Sequence, residues 1–281
     1  NGLVRHYDLR GGSNMADIQV NLVDKGERKI QSHGIAKLLR PEIQKIAKKY
    51  NANVKLVEVP PGPPVLSTIV AEVYGPDYKE QIRIANDVQN ILNNTTDVVD
   101  VDFMVEADQT EYQFEINKEK AMLYGVAPQQ IAYTMNMALS TNPITTLYDE
   151  DAVNQIGLVL SLDEKEKSTI SDISQLKVKS KMGTMVPIAD LVEIKETIAA
   201  KSIYRKNQKR VVYVMADMAG ELESPAYAIL GMEEKLKEIQ LPKGYKLNEM
   251  YLGQPDFEDD YTVKWDGEWQ ITLEVFRDLG I

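Results

Sequence analysis

The sequence predicts an α+β fold of ferredoxin-like split β-α-β units, with helices on one face of antiparallel or mixed sheets and a small α+β insertion. Three observations predict it. Residues 67–116 read as strand, helix, strand, strand, because apolar side chains recur every second position in STIVAEVYG, DVVDVDFMVE and EYQFEIN and every three or four positions in PDYKEQIRIANDVQNILNNT. Residues 209–252 repeat the strand, helix, strand order with KRVVYVMAD, a helix opened by Ser224-Pro225 and GYKLNEMYLG. Between these halves, residues 142–197 change to short strands and turns.

In chain order, residues 1–14 have no period and two adjacent glycines and read as irregular. ADIQVNL alternates as a half-buried strand, with Ile18, Val20 and Leu22 on one side. A helix follows on Ile35, Leu39, Ile43 and Ile46, bent or split at Pro41, and ANVKLVEV closes the unit as a second strand. One β-α-β element leaves an apolar face uncovered, so 1–66 reads as part of a subdomain whose first strand and helix are missing. PPGPPVL, residues 60–66, is a stiff loop with four prolines: an interdomain turn, or a loop at the mouth of a cleft.

Asp77 with Glu80 three residues later starts the next helix as a capping box, and Ile82, Ala85, Val88 and Leu92 form its apolar stripe. In DVVDVDFMVE the alternation puts Val99, Val101, Phe103 and Val105 on a packed face and Asp100, Asp102, Met104 and Glu106 on a separate acidic one. KEKAMLYGVAPQQIAYTMNMALS gives a short helix, a break at Gly125 and a second helix with Pro128 in its first turn; KVKSKMGTMVPI is a hairpin through Gly183. At the end, EWQITLEVFRDLGI with Trp265, Trp269, Leu273 and Phe276 reads as an amphipathic segment suited to a protein surface, a membrane interface or the approach to a spanning helix.

Composition removes whole classes of chemistry. The chain has no cysteine, which excludes disulfides, zinc thiolates and cysteine nucleophiles, and its two histidines, His6 and His33, stand in no ligand or triad spacing. A net charge of −11 argues against a nucleic-acid surface. No apolar run reaches the roughly 18 residues that span a bilayer. Met104, Met122, Met135 and Met137 could supply thioethers to a soft metal, although methionine on an apolar helical face is more often packing.

The order of these elements, with NKEKAMLYGV and GTMVPIADLV as its most specific motifs, resembles the second periplasmic loop of resistance-nodulation-division (RND) efflux pumps over about residues 15–281. The resemblance implies the porter region of a trimeric, proton-driven inner-membrane exporter that works with a periplasmic adaptor and an outer-membrane channel. Residues 1–66 would be part of the first porter subdomain, 67–141 with 198–252 the second, 142–197 a docking or funnel insertion, and 253–281 the lead into a transmembrane helix. No bond is made or broken in such a region, and no cofactor or metal is implied. The substrate cleft would be lined by Ile69, Ala71, Val73, Met104, Glu106, Val212 and Val214, which turns Glu72 toward the packed side. Pro60, Pro61, Gly62, Pro63, Pro64, Val65 and Leu66 would form the loop that gates passage; it lacks the aromatic typical of the drug exporters. Asp100, Asp102 and Glu106 would favour cationic amphiphiles. Two other readings are a free-standing ligand-binding or interaction module, and a metal-exporting branch in which Met104 converges with Met215 or Met218.

Overall fold

The structure is a computed structural model that describes residues 14–58, 65–221 and 224–280. The chain divides into two compact units, residues 1–107 with 201–281 and residues 108–200.

The first unit contains helix α1 (Ser32–Lys49), strand β1 (Ile69–Tyr74), helix α2 (Tyr78–Asn93), strand β2 (Val98–Phe103), a ribbon of β3 (Arg205–Lys206) and β4 (Lys209–Arg210), strand β5 (Val212–Met218), helix α3 (Pro225–Lys237), strands β6 (Leu247–Met250) and β7 (Tyr261–Gly267), and helix α4 (Glu268–Leu279). Its five-stranded sheet runs β6-β7-β1-β5-β2. Without β7 this is the order of a split β-α-β fold: β1-α2-β2 and β5-α3-β6 are the two predicted halves, and β1 and β5 pair antiparallel at the centre from Ile69 opposite Ala216 to Val73 opposite Val212. Strand β7, antiparallel to β1 and parallel to β6, fills the remaining place.

Both helices lie over one face of the sheet. Ile69, Ala71 and Val73 of β1, Val212, Val214 and Ala216 of β5, and Tyr261, Val263 and Trp265 of β7 are buried there against Ile84, Ala85, Val88 and Leu92 of α2 and Ile229, Met232 and Leu236 of α3. The α2 start is as predicted, the Asp77 side chain accepting from the Glu80 N–H at 2.9 Å. Ala85, Val88 and Leu92 of the predicted stripe are buried, and only its first member differs, since Ile84 is fully buried where Ile82 packs at the edge.

Several sequence expectations are corrected. ADIQVNL is not a strand: its side chains are exposed and it joins no ladder among the described residues. ANVKLVEV forms no strand over its described residues either, because the Asp100 carboxylate takes the Leu56 N–H at 3.1 Å and Asn53 Nδ2 donates to Asp102 at 3.2 Å, side-chain bonds in the place of a ladder. The predicted helix is one piece, Ser32–Lys49, with Pro41 inside it. Its apolar stripe is largely open, with Leu39 49% and Ile46 60% exposed.

In β2, Asp100 adopts a positive φ of 53°, and the β5 register shifts between Met215 and Asp217. This bulge inverts the phase of the strand, so Val98, not Val99, joins Val101, Phe103 and Val105 toward the core. The C-terminal segment is divided: Trp265 is fully buried on β7, donating Nε1–H to Glu249 at 2.7 Å, and only Trp269, Leu273 and Phe276 belong to α4. No helix among the described residues is long and apolar enough to cross a membrane.

The second unit is built on the Thr110–Ile116 strand, paired antiparallel with Val192–Ile198 along its whole length. That pairing carries residues 108–141 into the same unit as 142–197, where the sequence had grouped them with 67–107. The short helices Lys118–Leu123 and Pro128–Leu139 follow as expected, joined through Gly125 at φ 66°. A small core of Ala121, Val126, Ile131, Val178, Val186, Ile188 and Leu191 sits under the Gly183 hairpin, Lys177–Lys179 with Met185–Pro187.

Gly267, between β7 and α4, has φ 83°, and a Cβ there would lie 2.5 Å from the Ser67 carbonyl oxygen and 2.8 Å from that of Thr68. Gly183 has φ 88° with nothing within 4 Å. Gly267→Ala therefore costs about 3 kcal/mol or more and Gly183→Ala about 1 kcal/mol. Urea titrations, followed by tryptophan fluorescence for the first variant and circular dichroism for the second, check this; equal losses would contradict it.

Candidate functional site

The face of the sheet opposite the helices is the chemically distinctive surface of the first unit. Alternation along the strands brings Val70, Glu72 and Tyr74 of β1 beside Tyr213 and Met215 of β5 on one side and Lys264 and Asp266 of β7 on the other. Asp102, opposite Met215, and Met104 continue the face beyond β5. One half is apolar: Val70, Met104 and Met215 form a buried cluster against which Tyr204 and Tyr213 pack. The two rings meet edge to face at 6.4 Å.

The other half is ionic. Glu72 is fully buried and Lys264 only 2% exposed. The Tyr74 hydroxyl donates to Glu72 at 2.8 Å, Lys264 Nζ stands 3.1 Å from Asp266 and 3.8 Å from Glu72, and Lys206, from the β3-β4 ribbon, contacts both carboxylates. Two lysines thus balance two carboxylates, the arrangement that makes buried charge tolerable. Burial pushes the Glu72 carboxyl up. Burial acts the same way on Asp266, but hydrogen bonds with Glu72 and Lys206 and the two lysine charges outweigh it and hold that carboxyl well below its ordinary value. Burial likewise pulls at Lys206, yet its hydrogen bonds to Asp266 and Glu72 keep it protonated above the usual lysine range. Burial and the Glu72 charge push the Tyr213 phenol up to about 12. The opposite directions at Glu72 and Asp266 describe one coupled titration, in which an added proton goes to Glu72 first.

The predicted acidic face is not free. Asp100, its carboxylate sealed, pairs with Arg40 of α1; Asp102 pairs with Lys55. Glu106 is half-buried and accepts the Ser202 N–H at 3.1 Å. The attraction for cations assigned to Asp100 and Asp102 is therefore spent within the protein. Of the other expected cleft residues, Ile69, Ala71, Val73, Val212 and Val214 are in the helix-facing core, and only Met104 lies on the second face. Met104 does share a cluster with Met215, while Met218 is on the core side. Val65 and Leu66 precede β1; Pro60, Pro61, Gly62, Pro63 and Pro64 lie outside the described residues.

Sequence reasoning named Met215 only as a thioether partner of Met104 and Glu72 only as turned to the packed side, and it missed Val70, Tyr213, Lys206, Lys264 and Asp266. A signal existed: Glu72 lies inside IVAEVY, which reads as a strand, and Lys264 and Asp266 lie inside YTVKWDG, a run of strand-forming residues that sequence reasoning did not assign, so the two stretches carry complementary charges at interior positions.

The family model for the AcrB/AcrD/AcrF family matches residues 2–255. The chain belongs to that family. In sequence it is 22% identical to the nickel and cobalt resistance protein CnrA of Cupriavidus metallidurans over 222 residues, 77% of this chain and 19% of CnrA. It is 20% identical to the nickel-cobalt-cadmium resistance protein NccA of Alcaligenes xylosoxydans xylosoxydans, again over 77% of this chain and 19% of the relative. The swarming motility protein SwrC of Bacillus subtilis is 21% identical over 178 residues, 63% of this chain and 16% of SwrC. The chain thus spans under a fifth of the length of these relatives. Two crystal forms of a heavy metal efflux pump share the fold, with TM-scores of 0.55 and 0.56 at 18% identity, over 76% and 72% of this chain and 21% and 19% of the pump. The resemblance to RND exporters read from the sequence holds.

The ionic cluster has a definite pH signature. A carboxyl held below its ordinary value of 3.8, as Asp266 is, contributes stability that is fully present above that value and lost as the pH falls below it. Asp266→Asn should lower stability by about 2 kcal/mol at pH 7, and the gap from the parent should narrow below about pH 4. Urea midpoints at the two pH values measure this, and a gap constant across them would contradict it.

Proposed function

We propose that this chain is the porter and docking part of a trimeric, proton-driven RND exporter of the inner membrane, working on the periplasmic side with an adaptor and an outer-membrane channel. The first unit is the porter subdomain, and the second face of its sheet is the wall along which substrate moves. Residues 108–200 are the docking unit. The observation that carries this reading is the division of one sheet into two unlike faces. The helix-covered face is ordinary core, while the other gathers an apolar methionine and tyrosine surface beside a charge-balanced one. Apolar walls bind by area with little directional demand, which suits varied small amphiphiles. Because Asp100 and Asp102 are committed to Arg40 and Lys55, the wall selects by shape and polarity more than by cationic charge.

A second reading is favoured by a specific observation, the shared cluster of Met104 and Met215. Two thioethers on one buried surface suit a soft cation such as copper(I) or silver(I) as cargo; CnrA and NccA are named for resistance to other metals, nickel and cobalt and, for NccA, cadmium. The described residues contain no group of three His, Cys, Asp or Glu that could hold a metal ion, so a harder divalent cargo has no comparable cluster there.

One set of variants in the full-length transporter separates these readings. Met215→Phe and Val70→Phe, which fill the wall, should cut export of a neutral dye such as Nile red at least tenfold at unchanged protein abundance. Leu230→Phe, on the exposed side of α3, should not. Met104→Leu with Met215→Leu keeps the apolar volume and removes both sulfurs. Loss of silver resistance with dye export retained would establish the metal reading, and retention of both the apolar one. Dye export indifferent to the phenylalanine variants would remove the wall.

A further inference from the structure

The β3-β4 ribbon covers the second face without being part of its sheet. Arg205 and Lys206 pair only with Arg210 and Lys209 in the ladders of the described residues. The tip between them is Asn207-Gln208, at φ 49° and 69°, two left-handed residues in succession as a tight two-residue hairpin requires. A ribbon of this size has little stability of its own. What holds it down is a handful of side-chain bonds. Lys206 reaches Glu72 and Asp266; the Arg210 N–H donates to Glu258 at 2.9 Å; the Arg210 guanidinium donates to the Pro76 carbonyl at 2.7 Å; and Asn207 Nδ2 and Lys209 Nζ donate to Gln254 Oε1 and the Pro255 carbonyl, both at 2.5 Å. Just before the ribbon, Tyr204 packs on Tyr213 and on the Val70, Met104 and Met215 cluster, so the lifting of one residue run would both break the ion pairs and uncover the apolar surface.

Two features make such lifting feasible. The Lys206 side chain is 31% exposed, the most of the four charged side chains in the cluster, so it is the least costly of them to rehydrate. Lys264, from β7, stays beside both carboxylates when Lys206 leaves, so Glu72 is not stranded without a counter-charge. The ribbon therefore belongs to the low-stability end of the unit, while the sheet beneath it belongs to the high-stability end.

We propose that Arg205–Arg210 is a strap, latched by Lys206 onto Glu72 and Asp266, whose release opens the Val70, Met104 and Met215 surface and makes access to that wall a gated step. The strap rests on the reading of this face as the passage wall, and its test is independent of transport.

The chain contains no cysteine. Met215→Cys therefore places a single thiol beneath the strap, and Val214→Cys places one on the helix-facing side of the same strand as a reference. Maleimide labelling rates under native conditions are compared in the otherwise unaltered chain, with Lys206→Gln, which breaks the latch, and with Glu258→Ala, which loosens the ribbon without removing a member of the buried cluster. Each should raise the rate at position 215 at least tenfold and leave position 214 within twofold; Lys206→Arg should restore most of the protection. An unchanged rate at 215 in both variants, or rates at 214 and 215 that rise together as in global unfolding, would overturn the strap. If the strap opens as expected while Met215→Phe leaves export unaltered in the full-length protein, the strap stands and the passage-wall reading fails.

Discussion

The central constraint is that β1 has no exposed residue. All six of its side chains are buried, in pairing with β5 on one side and β7 on the other, strands more than 130 residues further along the chain. A strand in that position cannot turn a polar face to water, so each side chain must be matched by a partner. Ile69, Ala71 and Val73 are matched by the helices, and Glu72 by Lys206, Lys264 and the Tyr74 hydroxyl. A fully buried carboxylate left without these partners would cost several kcal/mol. The part of the ionic cluster that the sheet itself carries, Glu72 with Lys264 and the Tyr74 hydroxyl, is therefore a condition for the sheet, and Lys206 adds a further counter-charge that ties the ribbon to it.

This division of labour connects packing to function. The helix-facing side is a close-packed apolar core that tolerates little change. The other side combines apolar area with neutralised charge and a cover that is not part of the sheet. A surface that binds and releases cargo needs area without strong directional bonds, and it needs a means of being closed. Acidic residues read as a cationic attraction are employed otherwise: Asp100 and Asp102 fasten α1 and residues 53–56 to β2 through Arg40, Lys55, Asn53 and Leu56.

Most of the architecture was legible because its signals are local. The Asp77 cap, Pro128 and Pro225 in first helical turns, the Gly125 break and the Gly183 hairpin depend on neighbours a few residues away. The failures have non-local causes. Alternation in ADIQVNL describes a strand only if a ladder partner exists. In a central strand such as IVAEVY both faces are buried, so periodicity cannot say which set meets the helices, and Ile69, Ala71 and Val73, which the resemblance implied for the cleft, fall on the helix-covered set. One left-handed residue, Asp100, inverted the phase of β2. Trp265 and Trp269 stand four apart, which mimics a helical stripe, although a strand-to-helix junction at Gly267 separates them. The boundary of the inserted unit depended on Thr110–Ile116 pairing with Val192–Ile198, a contact that alternation within either strand does not encode.

The most direct test of the account is whether one sheet is assembled from the two sequence-distant halves without residues 108–200. The chain ends flanking that unit are close, with the Ser202 N–H 3.1 Å from the Glu106 carboxylate, so a short Gly-Ser bridge from Ala107 to Lys201 can replace it. Both tryptophans lie in the retained part, and Trp265 is fully buried in it. Urea unfolding of this deletion variant, followed by tryptophan emission and circular dichroism, should show a buried indole and a single cooperative transition. An emission maximum like that of the denatured chain, with no transition, would contradict the shared sheet and the two-faced wall built on it.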